Sequence, residues 1–140
     1  CTLLGARVDG NVFVRENAKL VAKNTHVGGS IQAEDYSIVK LKNTYVEGDV
    51  QTDYAEAVRI HNSEIDGSVQ LKGMEGYQKV SFVRESDIGG DLQAFDNLTK
   101  KLKFIDNVID GNLQCKENDP SPKGRDNIVG GNQEDQCRDL

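Results

Sequence analysis

Three kinds of side-chain chemistry are available to this chain. The first is thiol oxidation. Cys115 and Cys137 lie 22 residues apart and Cys1 stands alone, with no CxxC or Cys/His set at zinc-ligand spacing. The second is acid–base or metal chemistry. Asp9, Glu47, Asp66 and Asp110 recur at one place in a repeated octet, interrupted by Gly28 and Gly89. Stacked carboxylates are ligands that Ca²⁺ accepts, but the glycine-rich calcium nonapeptide is absent, so a solvated acidic edge is expected and no metal or cofactor is assigned. His26 and His61 fall at different places in the repeat, with no Ser or Cys nucleophile at a matching place, so no catalytic residue is assigned. The third is amide hydrogen bonding. Gln32, Gln51, Gln70, Gln93 and Gln114 recur at one place, following Ser30, Asp49, Ser68, Asp91 and Asn112 respectively by two residues.

The repeat that positions these groups is explicit. It reads VDGNVFVR from Val8, VGGSIQAE from Val27, VEGDVQTD from Val46, IDGSVQLK from Ile65, IGGDLQAF from Ile88 and IDGNLQCK from Ile109, with a fragment, VGGNQED, from Val129. The starts are separated by 19, 19, 19, 23, 21 and 20 residues, a period that signals a solenoid. Apolar residues alternate inside each octet: Val27, Gly29, Ile31 and Ala33 share one parity, as a half-buried strand requires. A second alternating run precedes the octet, with Leu20 and Ala22, Val39 and Leu41, Val58 and Ile60, Ser81 and Val83, then Leu102 and Phe104. Asn24, Asn43, Asn62, Glu85 and Asp106 close these runs three places before the next octet, where the alternation breaks and the chain must turn. Asn and Asp suit such a corner, and the invariant third-position Gly suits crowded rungs.

The pattern predicts an all-β fold: a single-stranded, right-handed parallel β-helix of about seven coils of 19–23 residues, one domain over residues 1–140. A hexapeptide solenoid would need an apolar-Gly unit every six residues, which the chain lacks. The longer coils place extra residues near 71–79 and 95–101, after the same strand, so longer turns projecting from one corner are expected. Both prolines fall in 116–127, and Pro cannot donate to a ladder. Residues 116–140 are therefore expected to form a C-terminal loop and cap. Cys115 occupies the inward slot of Ala33 and Ala94, and Cys137 follows one coil later with the same parity. The pair is predicted to form a disulfide, which places the chain in an oxidising compartment; the competing expectation is two free buried thiols. Cys1 has lost a partner upstream, is buried, or carries a lipid at a mature N-terminus.

The outward side of the octets becomes a polar ladder of Gln32, Gln51, Gln70, Gln93 and Gln114, with Asp49 and Asp91 beside them. Such a ladder stabilises itself or forms a contact face for a sugar or a protein. Ice binding would need regular Thr columns, and Thr25 and Thr44 are not sustained by Ser63, Ser86 and Asn107. With 17 Lys and Arg against 23 Asp and Glu, the net charge of −6 argues against nucleic acid and anionic lipid as partners. No apolar run approaches the roughly 18 residues of a membrane span. The opening at Cys1, without Met, points to a removed upstream segment.

The series GGSIQA, GGDLQA, GNLQCKEN and IVGGNQEDQC resembles secreted bacterial repeat proteins of uncharacterised function, whose Val-x-Gly-Asn-Val-Gln units end in a similar Cys-containing tail. The resemblance spans nearly the whole chain. It implies export and a β-helix, with no catalytic assignment. The chain departs from it in carrying more charge within its strands, as in VRENAKLVAK at 14–23. The coil period also resembles bactofilins, polymer-forming bacterial β-helices that are cytosolic and would not need a Cys-sealed tail. Many pectate lyases share the larger architecture, with active sites on long loops that this chain lacks. The expected function is a non-enzymatic, secreted or surface-associated structural or binding β-helix that contacts carbohydrate or protein. A bactofilin-like scaffold comes second and a carbohydrate-active enzyme last. An unpaired first rung is expected to pair with a second copy through residues 1–14, giving closed dimers.

Overall fold

The computed structural model describes residues 1–140, which form 21 strands and no helix. The strands make three seven-stranded parallel sheets, each coil contributing one strand to each sheet. Sheet 1 stacks Thr2–Leu4, Lys19–Lys23, Ile38–Lys42, Ala57–His61, Glu75–Arg84, Leu98–Ile105 and Lys123–Arg125. Sheet 2 stacks the two-residue strands Arg7–Val8, His26–Val27, Tyr45–Val46, Glu64–Ile65, Asp87–Ile88, Val108–Ile109 and Ile128–Val129. Sheet 3 stacks Val12–Val14, Ile31–Ala33, Val50–Asp53, Val69–Lys72, Leu92–Phe95, Leu113–Lys116 and Gln133–Asp135. Each octet is therefore two strands in two sheets, with a corner at its Gly.

Each corner has its own chemistry. Between sheets 1 and 2 the chain takes a left-handed residue, Gly5, Asn24, Asn43, Asn62, Glu85, Asp106 or Asp126. The closing polar residues thus turn the chain as expected. Between sheet 3 and the next sheet 1 strand, the left-handed residues are Asn17, Tyr36, Tyr54, Gly73, Asp96 and Glu117. The third corner holds the octet glycines. A Cβ on Gly67 would lie 2.7 Å from the Gly48 carbonyl oxygen of the coil before, too close for any side chain. Successive backbones therefore approach here as only Gly permits.

Each full coil sends about five residues inward, in one coil Leu20, Ala22, Val27, Ile31 and Ala33, all buried. They join a single core cluster of 27 buried residues. Each buried aliphatic contributes roughly 1.5–3 kcal/mol. Thr25 and Thr44 are also buried, in a corner column continued by Ser63, Ser86 and Asn107. Their oxygens serve the stack: Ser63 Oγ accepts from the Thr44 N–H at 3.2 Å, and Asn107 Oδ1 from the Ser86 N–H at 3.1 Å. The Thr column therefore faces inward and offers nothing to ice.

Two local expectations are corrected. The extra residues do not project as turns. They lengthen two sheet 1 strands, to 10 residues in Glu75–Arg84 and 8 in Leu98–Ile105, with a register irregularity between Gly76 and Val80. Because the insertions sit in neighbouring coils, each supplies the backbone partner of the other. The tail is not wholly a loop either. Lys123–Arg125 continues sheet 1, and Ile128–Val129 and Gln133–Asp135 complete a seventh coil. Only the stretch around both prolines and a final turn leave the sheets. Cys115 and Cys137 are joined with Cα atoms 5.3 Å apart, and both are fully buried. Leu140 packs on the core, and its carbonyl oxygen accepts from Gln133 Nε2 at 3.1 Å. Cys1 is unpaired and exposed, which excludes burial as its explanation.

Candidate functional site

The three outward faces differ in how their polar groups are used. Sheet 3 brings Gln32, Gln51, Gln70, Gln93 and Gln114 into one register column, as the repeat predicts. Gln32 Nε2 donates to Gln51 Oε1 at 3.4 Å and Gln93 Nε2 to Gln114 Oε1 at 2.8 Å, and Gln114 Nε2 donates to Glu134 at 2.9 Å. The ladder opens around Gln70, where Gln51, Gln70 and Gln93 line a depression of about 290 Å³ with Lys72 and Phe95.

Asp49 and Asp91, two residues before Gln51 and Gln93, each give one carboxylate oxygen to the backbone. Asp49 Oδ1 accepts the Ser68 N–H at 2.8 Å, and Asp91 Oδ1 accepts the Asn112 N–H at 2.7 Å. Asn11, Ser30, Ser68 and Asn112 make the same bond to the following coil, at 2.8 to 3.0 Å. The column heads the strands of sheet 3 at the Gly corner, where each N–H would otherwise lack an acceptor. Each of its side chains bonds the backbone, and all but the exposed Asn11 are half-buried.

On sheet 2 three of the four acidic-column residues are paired, Glu47 and Asp66 with the neighbouring coil and Asp9 within its own. Glu47 Oε1 lies 2.6 Å from His26 Nε2, Asp9 Oδ1 lies 3.0 Å from Arg7 Nε, and Tyr45 Oη donates to Asp66 Oδ2 at 2.6 Å. That hydrogen bond, with burial and the carboxylate charge, pushes the Tyr45 phenol up to about 12. His26 also stacks on Tyr45, ring centroids 4.8 Å apart, and His61 pairs with Glu85 at 3.3 Å. No group of three or more His, Cys, Asp or Glu side chains is placed to hold a metal ion.

Protein-family models, curated proteins and solved structures were compared with the chain, and none matches.

Sheet 1 is the face that the repeat analysis missed. Its strands carry twelve of the chain's 17 Lys and Arg residues and a single carboxylate, Glu75. Leu20 and Ala22, Val39 and Leu41, and Leu102 and Phe104 point inward, so the intervening Lys23, Lys40, Lys42 and Lys103 point out. Register places Lys40 beside Arg59, Lys23 beside Lys42, and Lys103 beside Lys123. Lys23, Lys40, Lys42 and Lys103 take part in none of the chain's ion pairs. Burial, and then the positive field of Lys19, Arg59, Lys79 and Lys23, holds the Lys40 ammonium below its ordinary value. A groove of about 270 Å³ runs between Lys40, Lys42, Arg59 and Arg84. The signal was present in the sequence, at the opposite parity to Leu20 and Ala22, but the net charge of −6 averaged it away.

Proposed function

We propose that this chain is a non-enzymatic, secreted or surface-associated β-helix that presents a flat, pre-ordered polar face to a polysaccharide or a protein. The observation that carries this reading is the register of the outward columns over seven coils, in a frame closed by the Cys115–Cys137 disulfide. Such a surface needs little ordering on contact, and so little of the interaction is lost to conformational entropy. The groups with catalytic potential are already engaged, His26 with Glu47, His61 with Glu85, and Asp49 and Asp91 with backbone N–H groups. A structural disulfide between neighbouring coils favours an oxidising compartment, in line with the secreted repeat proteins that the tail resembles.

The test is alkylation of free thiols in producing cells before lysis, followed by fractionation. The expected result is protein outside the cytosol with Cys1 modified and Cys115 and Cys137 protected. Modification of Cys115 and Cys137 in a cytosolic fraction would overturn the compartment. The second reading, a self-assembling scaffold, draws support from the continuous parallel stacking of like coils through all three sheets. Light scattering over a concentration series, with Leu3→Lys as the probe, distinguishes dimers sensitive to the substitution from a monomer.

A further inference from the structure

Resting on the reading of the chain as a binding platform, we propose that sheet 1, with Tyr36 and Tyr54 along its edge, binds a linear anionic polysaccharide lying parallel to the helix axis. The first support is charge complementarity. An acidic protein has gathered most of its cations on one flat face and left Lys23, Lys40, Lys42 and Lys103 without carboxylate partners. Like charges at the strand spacing of about 4.8 Å repel one another, and a chain of regularly spaced anions relieves that repulsion. The axial advance per coil is comparable with that of one sugar in an extended glycan.

The second support is independent of charge. Tyr36 and Tyr54 hold left-handed backbone conformations, at φ 57° and 56°, in a corner column that elsewhere uses Asn17, Gly73 and Asp96. A bulky aromatic pays a conformational cost there. The return is partial: the Tyr36 hydroxyl donates to Glu75 Oε2 at 3.4 Å and the Tyr54 ring lies against Gly73, yet both residues stay 49% exposed. They sit in successive coils, linked by the bond from the Tyr36 N–H to the Tyr54 carbonyl, and each immediately precedes a cationic strand, Ile38–Lys42 or Ala57–His61. Strain only partly offset by packing points to a functional position. The carboxylates of Glu75, Asp35 and Glu16 act on the Tyr36 hydroxyl, so the rings offer apolar faces to the sugars while the cations further along each strand meet the acidic substituents.

Nucleic acid and membrane fit less well. Of the two outward aromatics within sheet 1, Phe82 is covered by the Arg84 guanidinium at 4.8 Å and Tyr77, 61% exposed, sits alone in the irregular stretch between Gly76 and Val80, so the strands offer no row of stacking platforms for bases. A flat sheet has no ridge to enter a duplex groove. The apolar residues between the cations, Val21, Ile38 and Phe82, are half-buried and form no projecting wedge for a bilayer.

The experiment measures binding of the intact 140-residue protein to polygalacturonate and heparin, with dextran, duplex DNA and phosphatidylglycerol vesicles for comparison, over a range of salt. The two acidic polymers distinguish carboxylate from sulfate as the preferred anion. Lys40→Gln with Arg59→Gln should weaken binding about tenfold and flatten its salt dependence. Tyr36→Asn with Tyr54→Asn, which suits the left-handed corner, should weaken it roughly fivefold with the salt dependence unchanged. Tighter binding to DNA or vesicles, or indifference to both pairs of substitutions in folded protein, would overturn the proposal. Chain length of the recovered polymer is measured in the same samples. Shortening there would overturn the non-enzymatic reading and leave the binding face standing.

Discussion

Along sheet 3, Asp49 and Asp91 accept backbone N–H groups from the next coil, and Gln93 and Gln114 pass hydrogen bonds down the stack. Along sheet 1, Lys40 and Arg59 sit side by side with no carboxylate bonded to Lys40, and the field of the neighbouring cations lowers its pKa after burial. Both faces lie over the same core with the same strand spacing. One spends its polar groups on the fold, and the other keeps them in like-charged rows that the fold does not need. The contrast separates two uses of polar groups: losing a backbone acceptor at the Gly corner should be costly, whereas losing a cation from sheet 1 should be cheap.

The largest effect should come from the core beneath sheet 3. Val50→Asp places an unpaired charge in a fully buried column and should cost at least about 4 kcal/mol. Gln51→Ala, one residue along and outward, should stay within about 0.5 kcal/mol. Chemical denaturation of both variants checks this, and equal losses would mean that the faces are wrongly assigned. Next is the column of backbone acceptors at the Gly corner. Asp49→Ala leaves the Ser68 N–H without its acceptor and should cost roughly 1–3 kcal/mol. Asp49→Ser, which copies Ser30 and Ser68, should recover most of that loss in the same melts. A full recovery by Ala would show that the side chain is dispensable.

The smallest effect belongs to sheet 1 and has the opposite sign. In the folded protein Lys40 is held below 10.5, so its protonated form opposes folding. That penalty is present at neutral pH and fades as pH rises from the depressed folded value toward 10.5. Lys40→Gln should therefore match or slightly exceed the wild type in stability at neutral pH, with the gap closing in alkali. Urea titrations at several pH values read it directly, and a clear loss at neutral pH would show that Lys40 is structural.

Much of this was legible in the sequence because a solenoid writes each contact once per coil. The inward columns of Val27 and Ile31, the corners at Asn24 and Asn43, and the pairing of Cys115 with Cys137 follow from parity and spacing alone. The backbone bonds of Asp49 and Asp91 were not legible because parity gives the face and not the bond. Their position at a corner, where an N–H lacks an acceptor, depends on the turn of the backbone. The residues near 71–79 and 95–101 were read as loops because each was considered within its own coil, whereas their partner is the insertion one coil away. The cationic face was obscured by averaging charge over three faces. Tyr36 and Tyr54 stand where neighbouring coils place Asn17 and Gly73, a substitution visible in the sequence once the corner column is aligned.

The bonds that link one coil's Asn11, Ser30 or Asp49 to the next coil's N–H all run in the same direction. Each coil therefore meets its neighbours through a common connector, and the particular residue at the connector matters little. Excising residues 46–64, one 19-residue period, would bring Ser30 opposite Ser68 and Gln32 opposite Gln70 with every column still in phase. Length is thus an adjustable quantity in this molecule, set in whole coils. The reach of any surface it carries grows or shrinks by about 4.8 Å at a time, with no need to redesign the rungs that remain.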